Sequence, residues 1–235
     1  MVNNFKNNSV VEQEYKYVLT NSLAQSAIQW LKAYCYPDSK FPSGVISSIY
    51  YDTYDWQSLQ EKSNGDFFKS KFRIRWYADI DGNNPGDKSY LEVKYKIGIK
   101  REKNRIETSL SGKWLSRASL NDHKLLRILQ MLRSEGVRMS KQFYPIFQIT
   151  YKRLRFIDLA TGVRLCIDYD INVPKVNWQM VPRCNSFYLK NAVVEVKGHL
   201  TKLPVVLQKV INLGFQKSSF SKYMACYKKI MQFDS

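Results

Sequence analysis

KFRIRWY, residues Lys71–Tyr77, is a strand with two incompatible faces. In extended backbone, successive side chains point to opposite sides, so Lys71, Arg73 and Arg75 share one face. Phe72, Ile74 and Trp76 share the other. A half-buried strand alternates apolar and polar residues, but here every polar position is a cation. The next stretch repeats the pattern: Glu92, Lys94 and Lys96 alternate with Leu91, Val93 and Tyr95. Further out, Lys103 and Arg105 precede Ile106, and Glu12, Glu14 and Lys16 alternate with Gln13, Tyr15 and Tyr17. Arg164 and Asp168 share a face with Cys166, and Glu195 and Lys197 alternate with Val194 and Val196. One such strand reads as a solvated face over a core. Six together concentrate cations on one sheet surface, a self-repulsion that a bound polyanion would offset.

The chain of 235 residues is long enough for one sizeable core. Its 16 Tyr and 12 Phe suit strands better than helices. Strands are expected at Val10–Leu19, Ser47–Tyr54, Lys71–Ala78, Tyr90–Lys96, Lys103–Ser109, Ile146–Asp158, Val163–Tyr169 and Ala192–Val196. Helical spacing marks Asn21–Tyr34, Asn121–Ser134, Val205–Leu213 and Ser221–Gln232. Asp79–Ser89 and Asn172–Arg183 read as loops from their Gly, Asn, Asp and Pro content. No repeat or linker divides the chain, so 1–235 is expected to be a single domain with residues 1–9 flexible. Few helices and many strands indicate an α+β, mainly antiparallel fold, with a closed barrel or a strongly curved sheet.

The 37 basic and 20 acidic residues give a net charge of +17. That balance implies a polyanionic partner: nucleic acid, an acidic membrane surface or polyphosphate. Nucleic acid is not expected, because readers of single strands expose aromatics beside the basic patch, and here the aromatics alternate away from it. No apolar run approaches the roughly 18–20 residues of a membrane helix. The polar N-terminus has no signal-peptide character. Any membrane role would come from a partner protein. Cys35, Cys166, Cys184 and Cys226 have no metal-like spacing and read as free thiols, which places the protein in the cytoplasm. His123 and His199 read as surface or helix-packing residues.

Guanidinium forks and mobile ammonium groups bind phosphate oxygens. Carboxylates among them suit a hard divalent ion, Mg²⁺ or Mn²⁺. No Walker A or kinase glycine-rich loop is visible, so a nucleotide would have to be held by this different solution.

These pieces resemble a known family. Glu12-x-Glu14-x-Lys16 matches the ExExK signature of the CYTH group, the triphosphate tunnel metalloenzymes. Within it the chain is most similar to the VTC domain, the polyphosphate polymerase branch. The supporting pieces run in order: EYKY at Glu14–Tyr17, YYDT at Tyr50–Thr53, KFRIRWY, LEVKYK at Leu91–Lys96 and KNR at Lys103–Arg105. YKR at Tyr151–Arg153, RLCID at Arg164–Asp168, VVEVK at Val193–Lys197 and SFSKY at Ser219–Tyr223 complete the set.

The resemblance implies an eight-stranded antiparallel tunnel barrel with peripheral helices. It implies phosphate contacts from Lys16, Lys71, Arg73, Arg75, Lys94, Lys96, Lys103, Arg105, Arg153, Arg164, Lys197 and Lys222, the last reaching in from a helix near the mouth. Catalytic roles would fall to Lys222, Glu195, Arg73 and Arg75. The metal ligand would be Glu195, assisted by Glu12 and Glu14.

Cys166 stands where the family pattern RxTxD has Thr. The register of Gly98–Lys103 is open, so Lys100 and Arg101 could replace Lys103 and Arg105 as the inward pair. Asp52 reads equally as a turn residue or a lumen group. Asp168 is expected to hold a lumen arginine, and Glu92 to neutralise Lys94 or Arg73. Tyr50, Tyr51, Trp76 and Tyr77 are expected in the outer core.

The expected function is a polyphosphate polymerase that moves the γ-phosphate of a nucleoside triphosphate to a polyphosphate chain. A triphosphatase on the same scaffold and a non-catalytic sensor of polyphosphate or inositol phosphates are the alternatives.

Overall fold

The structure is a computed structural model describing residues 13–98, 100–137, 139, 141–198, 204–211 and 214–233. Segment 1–9, Glu12 and His199 lie outside the described residues. The long strands are β1 (Gln13–Thr20), β3 (Ser43–Asp52), β4 (Phe68–Ala78), β5 (Pro85–Ile97), β6 (Lys100–Thr108), β7 (Tyr144–Ile157), β8 (Arg164–Val173) and β10 (Asn191–Gly198). Three two-residue strands join them: β2 (Tyr36–Pro37), β9 (Phe187–Tyr188) and β11 (Gln216–Lys217). All pair antiparallel in one sheet of order β11-β1-β10-β8-β7-β3-β4-β5-β6, with β2 on β7 and β9 on β8.

The expected α+β, antiparallel character holds, and the eight expected strands are the eight long ones. Closure is corrected: among the described residues, no hydrogen-bond ladder joins β6 to β1. One edge of β1 pairs with β10, and β11 takes the other at Tyr17 and Val18. The edge strand β6 carries charge on both faces, as edge strands that resist further pairing do. The seam is bridged by side chains instead, with Arg101 donating to Glu14 at 2.5 Å.

The period of two explains the layering. The apolar faces point outward beneath helices, and the charged faces point inward. Helix α1 (Asn21–Tyr34) lays Ala24, Ala27, Ile28 and Leu31 on Tyr17, Leu165, Ile167 and Val194. Its bounds are those expected from sequence. The expected helix Asn121–Ser134 is two short ones, α4 (His123–Arg127) and α5 (Gln130–Ser134), and α3 (Gly112–Arg117) precedes them. Leu115, Leu125 and Leu132 of these three cover Phe72, Ile74, Trp76, Leu91 and Val93. A further short helix, α2 (Gln57–Ser63), follows β3. Near the C-terminus lie α6 (Val205–Ile211) and α7 (Lys222–Met231). The latter packs Tyr223, Cys226 and Ile230 against Tyr50, Tyr151 and Val193. The expected loop Asp79–Ser89 is strand from Pro85, and β8 runs on to Val173.

At Gly112 helix α3 approaches the sheet closely. A Cβ there would lie 2.6 Å from the Gly86 carbonyl oxygen and 2.7 Å from the Trp76 ring. Gly112→Ala is therefore expected to destabilise the fold by about 1–3 kcal/mol through overpacking. Urea unfolding would measure it, and an unchanged midpoint would show that α3 can shift without cost.

Candidate functional site

The inward faces of the strands line one cavity of about 670 Å³. Its walls present thirteen basic side chains and three acidic ones, Glu14, Glu102 and Glu195. Such an excess of cations in one cavity calls for an anionic ligand.

The first wall is built by β4, β5 and β6. Register pairs Arg73 with Glu92 and Glu92 with Arg105. Glu92 is fully buried and gathers four cations. Its Oε2 lies 2.7 Å from Arg73 and 3.9 Å from Arg75, and its Oε1 lies 2.6 Å from Lys103 and 3.7 Å from Arg105. Burial alone would raise its pKa, but Arg73, Arg75 and Lys103 outweigh that and hold it far below the carboxylate range. Arg75 also donates to Ser48 and Tyr151 at 3.0 and 3.4 Å. Both guanidinium groups are thus locked in place, so little ordering cost remains when a phosphate binds.

The second wall is built by β1, β7, β8, β10 and α7. Register pairs Lys16 with Glu195, Glu195 with Cys166, and Arg153 with Asp168. Arg153 grips fully buried Asp168 with two nitrogens, NH2 at 2.6 Å, and reaches Glu195 at 3.2 Å. Lys222, the first residue of α7, pairs with Asp168 and lies 3.7 Å from Glu195. Lys16 and Lys197 lie 3.6 and 3.7 Å from Glu195. Burial would raise the Glu195 pKa, yet Lys222, Arg153, Lys16 and Lys197 hold it well below the usual value. Burial would likewise lower Lys222, and Asp168 and Glu195 reverse it, so this ammonium stays charged. Tyr151 joins the two walls: it accepts from Arg75, and the Lys222 ammonium sits 4.7 Å over its ring.

Between the walls stand lysines with no ion pair among the described residues. Lys94 and Lys71 are register partners, and Lys69 pairs with Lys96. Lys94 is open to the water of the cavity, yet Arg73 beside it, then confinement and Arg75, push its pKa down to about 6. Burial, with Lys16 and Lys62 nearby, pushes Lys71 down to about 8.

A bound polyanion favours the charged amine and raises these values, so binding takes up protons. Affinity accordingly weakens as pH rises above about 6, the folded value for Lys94. At pH 8, with long-chain polyphosphate, whose internal phosphates carry no titrating proton, calorimetry in buffers of different ionisation enthalpy is expected to show uptake. Lys94→Gln is expected to remove most of it. Heats independent of the buffer would contradict this.

Of the expected phosphate ligands, Lys16, Lys71, Arg73, Arg75, Lys94, Lys96, Lys103, Arg153, Lys197 and Lys222 all line the cavity. Arg105 and Arg164 do not: Arg105 stacks 3.6 Å over the Tyr90 ring, and exposed Arg164 pairs in register with Lys197. In the Gly98–Lys103 stretch Arg101 and Lys103 face inward, while Lys100 pairs with Glu102 at 2.6 Å.

Tyr50 is not outer core. It lines the cavity and accepts from Arg73 at 3.3 Å, because Tyr50 pairs in register with that arginine. Tyr77 is half-exposed and meets Arg105 at 3.5 Å, whereas Tyr51 and Trp76 are core. Cys166, in place of Thr, has its thiol 3.7 Å from Glu195, and burial pushes its pKa up to about 12. His123 is exposed at the start of α4. Sequence reasoning missed Lys62, Lys69 and the hydroxyls of Ser219 and Ser221, and named Arg101 only as an alternative inward residue. Lys69 continues the alternation of Lys71 and Arg73 and was legible there. Lys62 reaches the cavity from α2, where it bonds Ser219 at 3.2 Å.

For a divalent ion, Glu14 and Glu195 are the fitting donors. Both carboxylates approach one ammonium, Lys16, at 3.5 and 3.6 Å. No cluster of three or more His, Cys, Asp or Glu suited to a metal occurs among the described residues. Two carboxylates nevertheless match Mg²⁺, which takes one or two from the protein and the rest from water and phosphate.

The fold is a mainly antiparallel sheet wrapped around a cavity lined chiefly by cations. The VTC domain model matches residues 11–231, and the chain belongs to the VTC domain family. Comparison with curated proteins gives no match.

Among solved structures the chain is similar to a candidate adenylyl cyclase from Hippeastrum, described with a dominant triphosphatase activity. The identity is 14%, the coverage 95% of each chain and the TM-score 0.49. A candidate adenylate cyclase from Bacillus halodurans shares 15% identity over 90% of this chain and 92% of that one, with TM-score 0.49. One from Vibrio parahaemolyticus shares 15% over 94% and 98%, with TM-score 0.44.

No helix of the described residues is long and apolar enough to cross a membrane.

Proposed function

We propose that the cavity binds the triphosphate of a nucleoside triphosphate and transfers its γ-phosphoryl group to a polyphosphate chain. The observation that supports this most is the pair of cation clusters, each locked onto buried carboxylates and both lining one cavity. Phosphoryl transfer requires chiefly positioning and charge stabilisation. Arg73 and Arg75 would grip phosphate oxygens from one wall, and Arg153, Lys16 and Lys222 from the other. Lys222 remains charged and would neutralise charge on the transferred group. A divalent ion held by Glu14 and Glu195 would supply further neutralisation of phosphate oxygens.

The lumen carboxylates favour polymerisation over hydrolysis. Glu195, Asp168 and Glu92 are all held ionised below their ordinary range, which makes them weak bases. A terminal phosphate of a polyphosphate chain is already ionised and needs no base to attack.

Hydrolysis is the second reading, favoured by the convergence of Glu14 and Glu195 on Lys16. Such a pair would hold a divalent ion and could help orient an attacking water. Incubation with ATP and Mn²⁺ or Mg²⁺, with long-chain polyphosphate and free phosphate measured together, separates the two. Polymer with ADP is the expected result. Free phosphate alone would assign a triphosphatase, and polyphosphate binding without either product would assign a sensor.

A further inference from the structure

Among the described residues, Asp52, Glu61 and Asp158 are buried acids outside the two cation clusters, and Asp52 alone of them is joined to α7. Asp52, at the end of β3, is fully buried and has no cation partner within ion-pair distance among the described residues. Its Oδ1 accepts from the backbone N–H groups of Thr53 and Ser58, each at 2.9 Å, the second at the start of α2. Its Oδ2 accepts from the Tyr223 hydroxyl at 2.8 Å. Tyr223 follows Lys222 on α7, and its ring is clamped between Tyr50 and Phe147 at centroid distances of 5.2 and 5.1 Å.

A second contact joins the same two parts. Trp56, within the Asp52–Ser58 turn, has left-handed backbone with φ 58°. That conformation is costly for a bulky side chain and persists only where the surroundings enforce it. Here it places the indole against Tyr227 at 4.8 Å. Tyr223 and Tyr227 are four residues apart and so lie on one face of α7. The helix is therefore attached at two points, one polar and one aromatic, to a turn folded around the Asp52 carboxylate.

We infer that Asp52 and Tyr223 are positioning residues that tether α7 to β3 and α2, so that Lys222 is held in the cavity against Asp168 and Glu195. Two further cavity lysines share the tether. Lys71 donates to Ser221, the N-cap of α7, at 2.9 Å, and Lys62 of α2 donates to Ser219. The carboxylate thus couples three lysines from three elements without touching the ligand itself. This rests on the reading of the cavity as a triphosphate site.

Tyr223→Phe tests it, because it keeps both ring contacts and removes only the hydroxyl. Tripolyphosphate binding, followed by calorimetry, is expected to weaken about fivefold to tenfold, the loss of one buried hydrogen bond. In a Lys222→Ala background the same substitution is expected to cost clearly less, since the part carried by Lys222 is gone and only that through Lys71 and Lys62 remains. Lys222 acetylation in the ligand-free protein, followed by mass spectrometry, is expected to rise in Tyr223→Phe.

Should that variant fail to fold, Asp52→Asn serves. It keeps an acceptor for Thr53 and Ser58 and puts an amide opposite the hydroxyl, with the same expected outcomes at smaller size. Additive losses in the double variant, together with unchanged Lys222 labelling, would overturn the tether. Wild-type protein that does not bind tripolyphosphate would instead overturn the reading of the cavity, while the labelling result would still decide the tether.

Discussion

Lys222→Ala is expected to lower turnover of ATP by about 100-fold or more, the usual effect of removing one preorganised donor from developing charge. The side chain lies on the Asp168 and Glu195 carboxylates and stays charged despite its burial. In the free protein its loss is partly compensated, because Arg153 still pairs with both acids. The fold should therefore survive while the activity does not. Steady-state kinetics with ATP and Mn²⁺, together with thermal unfolding, would read both. A loss below tenfold would remove Lys222 from the reacting centre.

Glu92→Gln should produce the largest loss of stability. The substitution keeps the shape and removes the one negative charge shared by Arg73, Arg75, Lys103 and Arg105. Breaking a buried ion pair by deleting one partner costs about 3–5 kcal/mol, since the remaining charge stays buried. Arg73 and Arg75 cannot escape to solvent, although Lys103 and Arg105 are partly exposed and can relax. For a domain of this size the cost corresponds to a fall in Tm of roughly 10 °C. Tripolyphosphate should recover part of it by replacing the missing charge.

The sign of the pH effect follows from the same group. The folded pKa of Glu92 is depressed, so its contribution is present above the unfolded value near 4.5 and is lost as pH falls below it. Acid unfolding of Glu92→Gln should lack that component. An unchanged Tm would mean that the four cations are neutralised elsewhere.

The charged face of the sheet was legible because a period of two survives in single strands. Arg73, Arg75, Lys94 and Glu195 could be placed inward from alternation alone, and α1 from its helical spacing. What sequence hid was long-range. Nothing near Glu92 says that it joins four cations, two of which belong to β4 and two to β6. The turn at Trp56 is left-handed without a Gly or Asn to announce it, so α2 and Lys62 were missed. Arg105 keeps the right parity, but Tyr90 holds its guanidinium away from the cavity lining. Closure of the sheet also depends on partners distant in sequence, since Gln216 and Lys217 occupy the β1 edge that a closed barrel would give to β6.

The central claim is that the inward cations form a single phosphate-chain site. A crystal structure of the protein with tripolyphosphate tests it most directly. The chain of phosphates should lie in the cavity between Arg73 and Arg75 on one side and Arg153 and Lys222 on the other. Tripolyphosphate bound only on the exposed basic surface of α3 to α5, with the cavity empty, would contradict it.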